Sequence, residues 1–193
     1  MTQGLFATLI IGTMIQQIGL LIGGSTGNVI YLLGKAAAAL TSAGIGVGVA
    51  VKYGESPLVT VSAAVAAMVG GYAGKITGGT FFVDGNAVLA GPGEPLGAFI
   101  AAFAGITCGH LVSGKTKVDI IVTPVITIGA GSVVGLLVGP PISQMMTGLG
   151  SIINWATEQR PFIMGIVVSV VMGMVLTLPI SSAALGIILN LSG

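Results

Sequence analysis

The chain has 193 residues, with six Lys or Arg, five Asp or Glu and a net charge of +1. It is 6% charged and 54% apolar, with a mean hydropathy of +1.09, against roughly 25% charge in an ordinary soluble domain. So few charges cannot cover a water-facing surface, and their balance gives no basic field for nucleic acid.

One Cys and one His offer no metal constellation and no internal disulfide, and no cofactor is implied. Aromatic residues at 5%, in apolar runs without strict alternation, argue against a transmembrane β-barrel. The fold class that remains is an all-α integral membrane protein. A helix needs about 20 mostly apolar residues to cross the hydrocarbon, and six stretches qualify. The first, 5–22, carries Gln16 and Gln17, whose amides are costly in lipid and point to an interhelical contact. The second, 29–51, follows Gly23-Gly24-Ser25-Thr26-Gly27-Asn28 and carries Lys35, which can snorkel. The third, 58–75, follows Gly54-Glu55-Ser56-Pro57. The fourth, 95–112, holds Cys108, read as a small buried hydrophobe, and His110. The fifth, 120–139, lies between Ser113-Gly114-Lys115-Thr116-Lys117 and Gly139-Pro140-Pro141, with Asp119 expected to pair with a lysine. The sixth is 161–178, and the 180–192 stretch beyond it is too short to cross.

Between the third and fourth spans, 76–95 reads as a re-entrant hairpin. Asp84-Gly85-Asn86 is a turn signal between short apolar arms. Gly91-Pro92-Gly93 then prevents regular helix, and Pro95 suits the first position of the next one. Glu94 therefore falls at or beside an N-cap, among the free N–H groups of a first helical turn. A carboxylate beside irregular backbone at membrane depth is a functional-site candidate. Such a mixture of acceptors and donors suits a neutral polyol, whose hydroxyls both donate and accept, and one carboxylate takes two adjacent hydroxyls. The candidate binding residues are Glu94, Gly91 and Gly93, with Asp84 and Asn86 if the hairpin brings them near, and His110. The plainer readings are capping for Glu94, turn formation for Asp84 and Asn86, and packing for His110.

In 141–157, Ile142, Met145, Met146, Leu149, Ile152, Ile153 and Ala156 recur at helical spacing, opposite Ser143, Gln144, Thr147, Ser151, Asn154 and Thr157. This is an uncharged amphipathic helix, expected to lie along the membrane interface with Trp155 at headgroup level; the alternative is a span lining a polar cavity. There is also an internal echo: Ala66-Ala67-x-x-Gly70-x-x-x-Gly74-Lys75 matches Ala101-Ala102-x-x-Gly105-x-x-x-Gly109-His110. Both copies place two glycines four apart on one face, which lets helices approach closely in lipid. Duplication of a transporter repeat and chance likeness of glycine-rich helices explain it equally well.

The stretches Gly91-Pro92-Gly93-Glu94-Pro95-Leu96-Gly97-Ala98-Phe99-Ile100-Ala101-Ala102, Ser113-Gly114-Lys115-Thr116-Lys117-Val118-Asp119-Ile120-Ile121-Val122-Thr123-Pro124 and Pro179-Ile180-Ser181-Ser182-Ala183-Ala184 carry a family likeness. The chain resembles the membrane-embedded IIC (permease) component of bacterial sugar phosphotransferase systems, in particular its stand-alone IIC-like branch. The resemblance implies a multi-pass, usually homodimeric, elevator-type sugar permease of the bacterial inner membrane, with 1–193 as one membrane domain and the N-terminal part of a longer protein. It gives Glu94, in a Gly-x-x-Glu-Pro-like motif, the role of binding sugar hydroxyls. The family's histidine precedes its glutamate, whereas His110 follows Glu94. No phosphoryl-accepting domain is seen, so a transport component rather than an enzyme is expected. The rival readings are a non-transporting helical subunit of a larger complex and an ion-coupled carrier or channel.

Overall fold

The computed structural model describes residues 1–83, 85–89 and 91–157, with isolated positions at 165, 166, 169, 170 and 173. The predicted sixth span and the 180–192 stretch thus lie almost wholly outside the described residues. Helix α1 (Thr2–Leu5), a π-helical turn (Phe6–Ile10) and α2 (Ile11–Ile22) form one apolar rod. Helices α3 (Gly24–Ala39), α4 (Thr41–Tyr53) and α5 (Pro57–Gly71) follow, then the short α6 (Ala73–Thr77). A small hairpin of β1 (Phe82–Val83) and β2 (Asn86–Ala87) leads to α7 (Pro95–Val112) and the 39-residue α8 (Asp119–Thr157).

Among the described residues, three helical stretches are long and apolar enough to cross a membrane: Thr2–Ile22, Pro95–Val112 and Asp119–Gly148. The pair α3 and α4 makes a fourth if counted as one broken span, bent by 52°. This corrects the predicted list at three points. The 29–51 span breaks at Leu40, which has φ −85° and ψ 9°. There the Thr41 hydroxyl takes the Ala38 carbonyl (2.6 Å) and the Tyr72 hydroxyl takes that of Ala39 (3.1 Å). Side chains satisfy the carbonyls where the helix turns aside. The 58–75 span stops at Gly71. The 120–139 span does not stop at Gly139-Pro140-Pro141; α8 runs through with Pro124, Pro140 and Pro141 inside it.

Small residues decide the packing. Helices α5 and α7 run antiparallel, with Gly70 against Gly97 and Ala101 at one end and Val59 against Gly109 at the other. Helix α8 lies along both, Gly131 meeting Ala66 and Ala101, Gly135 meeting Gly70, and Gly139 meeting Ala73. A methyl added at Gly70 would lie 2.4 Å from the Ala101 Cβ and 2.5 Å from the Gly97 carbonyl oxygen. The echoed Ala66, Ala67, Ala101 and Ala102 are all fully buried in this seam, so both copies of the echo serve one close helix contact. The α2–α3 hairpin is built alike, Gly12 against Gly34 and Ala38, and Gly19 against Gly27 and Tyr31. Large apolar side chains face outward instead, among them Leu21, Leu33, Ile120 and Leu137, as in a lipid-facing bundle. Gln16 packs its Cγ over Gly34 of α3, while its amide bonds back to the Gly12 carbonyl of its own helix at 3.4 Å.

Candidate functional site

Three interruptions of helical backbone meet at one place. They are the bend at Leu40, the kink at Tyr72 between α5 and α6, and the loop 91–94 ahead of α7. The Glu94 N–H donates to the Gly71 carbonyl at 2.7 Å. The buried Ser42 hydroxyl donates to the Pro92 carbonyl at 3.0 Å. The Tyr72 hydroxyl, which donates to Ala39, also contacts the Gly91 carbonyl. Gly93 is demanded twice, by its φ of +72° and by space: a Cβ there would lie 2.5 Å from Ser42 Oγ and 3.0 Å from the Gly71 carbonyl oxygen.

Glu94 is the N-cap of α7 and Pro95 its first residue, as the sequence predicts, but the Glu94 side chain makes no capping hydrogen bond. Its carbonyl accepts the Ala98 N–H at 2.9 Å, while Leu96 and Gly97, in the first turn, have no intrahelical acceptor. The side chain instead lines a cavity of about 890 Å³. Gly91, Pro92, Gly93, Gly71, Gly74 and Lys75 form one side of it; Pro140, Ser143, Gln144, Thr147 and Ser151 of α8 form the other. Ser143, Gln144, Thr147 and Ser151, on the polar face of the 141–157 stretch, therefore turn to this cavity. Burial pushes the Glu94 carboxyl up to about 7, with the nearby Lys75 ammonium pulling the other way. Lys75 Nζ lies 5.4 Å from the centre of the Tyr72 ring, within range for a cation–π contact.

Of the predicted site residues, Glu94, Gly91 and Gly93 come together on the cavity wall. Asn86 pairs with Val83 on the exposed hairpin and is not part of the lining. Asp84 lies outside the described residues. His110 is at the other end of α7, sixteen residues from Glu94, or about 24 Å at 1.5 Å per residue. Its Nδ1 sits 3.0 Å from Glu55 Oε1, where Ser56 and Ser113 are also joined hydroxyl to hydroxyl at 3.1 Å. Asp119 takes the Gly114 N–H (2.9 Å) and the Thr123 hydroxyl (2.6 Å) rather than the expected lysine. Sequence reasoning did not put Tyr72, Lys75 or Ser42 in the site. Only the Tyr that directly follows Gly70-Gly71 and the Lys after Gly74 offered a signal, and neither has a motif.

Over residues 1–193 the sequence matches the family model described as Phosphotransferase system, EIIC. The chain belongs to that family. It is a membrane protein of the family that serves sugar transport in phosphotransferase systems. No curated protein and no solved structure matches it.

Proposed function

We propose that the chain binds a small polar solute, a sugar, in the cavity at Glu94 and passes it across the membrane by alternating access. The observation that carries the reading is the carboxylate that heads α7, bonds to no backbone N–H of that helix and faces a cavity walled by hydroxyls, an amide and glycine backbone. An ionised carboxylate that accepts two adjacent hydroxyls, with serine and threonine hydroxyls opposite, matches the mixed donor and acceptor character of a sugar. The segment 76–95 is the re-entrant element in this reading, and it moves with α7 against the remaining helices. A homodimer in the bacterial inner membrane, multi-pass, is the setting the family suggests.

The test is a thermal-shift screen of neutral hexoses, pentoses and disaccharides on detergent-purified protein. A sugar that stabilises the wild type and fails to stabilise Glu94→Gln supports the reading. If the variant responds to that sugar as the wild type does, or if no sugar in the screen shifts either protein, the reading is lost. A second reading, an ion-coupled carrier, draws on the Glu94 carboxyl, which titrates near neutrality and so suits a proton exchanged with solute. Uptake into proteoliposomes with and without an imposed pH gradient separates the two.

A further inference from the structure

Tyr72 is almost fully buried, 1% exposed, at the kink between α5 and α6. A tyrosine placed this deep needs a partner for its hydroxyl, and here its single O–H proton is shared between two carbonyls at breaks in other elements. One is Ala39, the last residue of α3 before the bend; the other is Gly91, the first residue of the loop that presents Glu94. The ring packs at a tilt against Phe81, 5.4 Å between centres, and Lys75 Nζ lies over it at 5.4 Å. The hydroxyl has little freedom to wander, so it fixes the distance between the helix bend and the loop.

We propose that Tyr72 is the positioning residue of the site: its hydroxyl ties the end of α3 to the opening of the Gly91–Glu94 loop and thereby sets where the Glu94 carboxylate stands in the cavity. The loop has a second tie at Ser42–Pro92 and a third at Glu94–Gly71. Both of these join the loop only to the start of α4 and the end of α5. Tyr72 alone among the three reaches across the α3–α4 bend, so a change in that bend moves the loop. The inference deepens the proposed function but does not need the solute to be known.

The experiment uses the full-length protein in proteoliposomes and a charged methanethiosulfonate reagent. Cys108 is the chain's single cysteine. In a Cys108→Ala background, Glu94→Cys reports the loop; in a second protein of the same background, His110→Cys, at a side chain 71% exposed, reports the far end of α7. Tyr72→Phe keeps the ring and its packing but removes the hydroxyl. It is expected to change the modification rate at position 94 by about fivefold, the scale of one lost hydrogen bond, and to leave the rate at position 110 unchanged. An unchanged rate at position 94, or equal changes at positions 94 and 110, overturns the proposal. The sugar screen can fail while this pattern holds, and the reverse, so the two readings fall separately.

Discussion

Replacing Glu94 by Gln removes a charge but no cap, because the carboxylate makes no bond to the first turn of α7. Solute affinity is expected to fall by about tenfold or more, the scale of a hydrogen bond to a charged group, while the melting temperature of the solute-free protein does not drop. The raised carboxyl sets two opposite pH trends. With the folded value near 7 against an ordinary 4.5, the native state holds this proton more firmly than the unfolded chain. This group's contribution to stability is therefore fully present at low pH and is lost as pH rises from about 4.5 through about 7. Solute binding by the ionised carboxylate runs the other way and weakens as pH falls below about 7. Thermal-shift and binding curves across that range should show both slopes in the wild type and neither in Glu94→Gln. The two loop glycines separate strain from contact. Both have positive φ, +80° at Gly91 and +72° at Gly93, but a Cβ at Gly91 meets nothing within 4 Å, whereas one at Gly93 strikes Ser42 and Gly71. Gly91→Ala is expected to cost about 1 kcal/mol of backbone strain. Gly93→Ala is expected to cost about 3 kcal/mol or more, since overpacking adds to the strain. Melting temperatures of the two variants in detergent check the order.

At the scale of elements, the periodic pattern located α7 to the residue, because Pro95 and the broken Gly91-Pro92-Gly93 ahead of it leave one place for the helix to start. The bend at Leu40 was invisible in sequence. The run Lys35-Ala36-Ala37-Ala38-Ala39-Leu40 is good helix by composition, and the Ala39 carbonyl at the bend accepts a hydroxyl from Tyr72, which arrives from another element. The opposite error came at Gly139-Pro140-Pro141. Two prolines remove two N–H donors, from the Leu136 and Leu137 carbonyls by the i−4 rule, yet α8 continues because its small residues are clamped along α5 and α7. Packing outweighed local propensity in both cases. The small-residue seam itself yields a prediction. Gly70→Ala forces a methyl to within 2.4 Å of Ala101 Cβ and is expected to cost about 2 kcal/mol or more. Gly129→Ala, where a Cβ meets nothing within 4 Å, is expected to be neutral or to gain up to about 1 kcal/mol from helix propensity. Chemical or thermal unfolding in detergent separates them.

At the scale of the whole molecule, the two ends of α7 do different jobs. One end presents Glu94 to the cavity, and the other carries His110, 71% exposed in its side chain, against the sheltered carboxylate of Glu55. His110→Ala is expected to leave solute affinity within about twofold and to cost about 1–3 kcal/mol, since it strips a partner from the sheltered Glu55 carboxylate; binding and unfolding measurements on one variant check both. The membrane class, the helical content, the start of α7 and the exposure of a carboxylate by broken backbone were all determined by the sequence, because composition and the chemistry of Gly, Pro and apolar runs act locally. Which polar residues stand around that carboxylate was decided only by the tertiary structure. Tyr72, Ser42, Lys75 and the polar face of α8 lie far apart in the chain or carry no motif. Lys75 and the polar face of α8 reach the cavity, and Tyr72 and Ser42 the loop that bounds it, because glycines and alanines let α5, α7 and α8 close to within backbone contact, and that closure depends on how surfaces fit rather than on any local pattern.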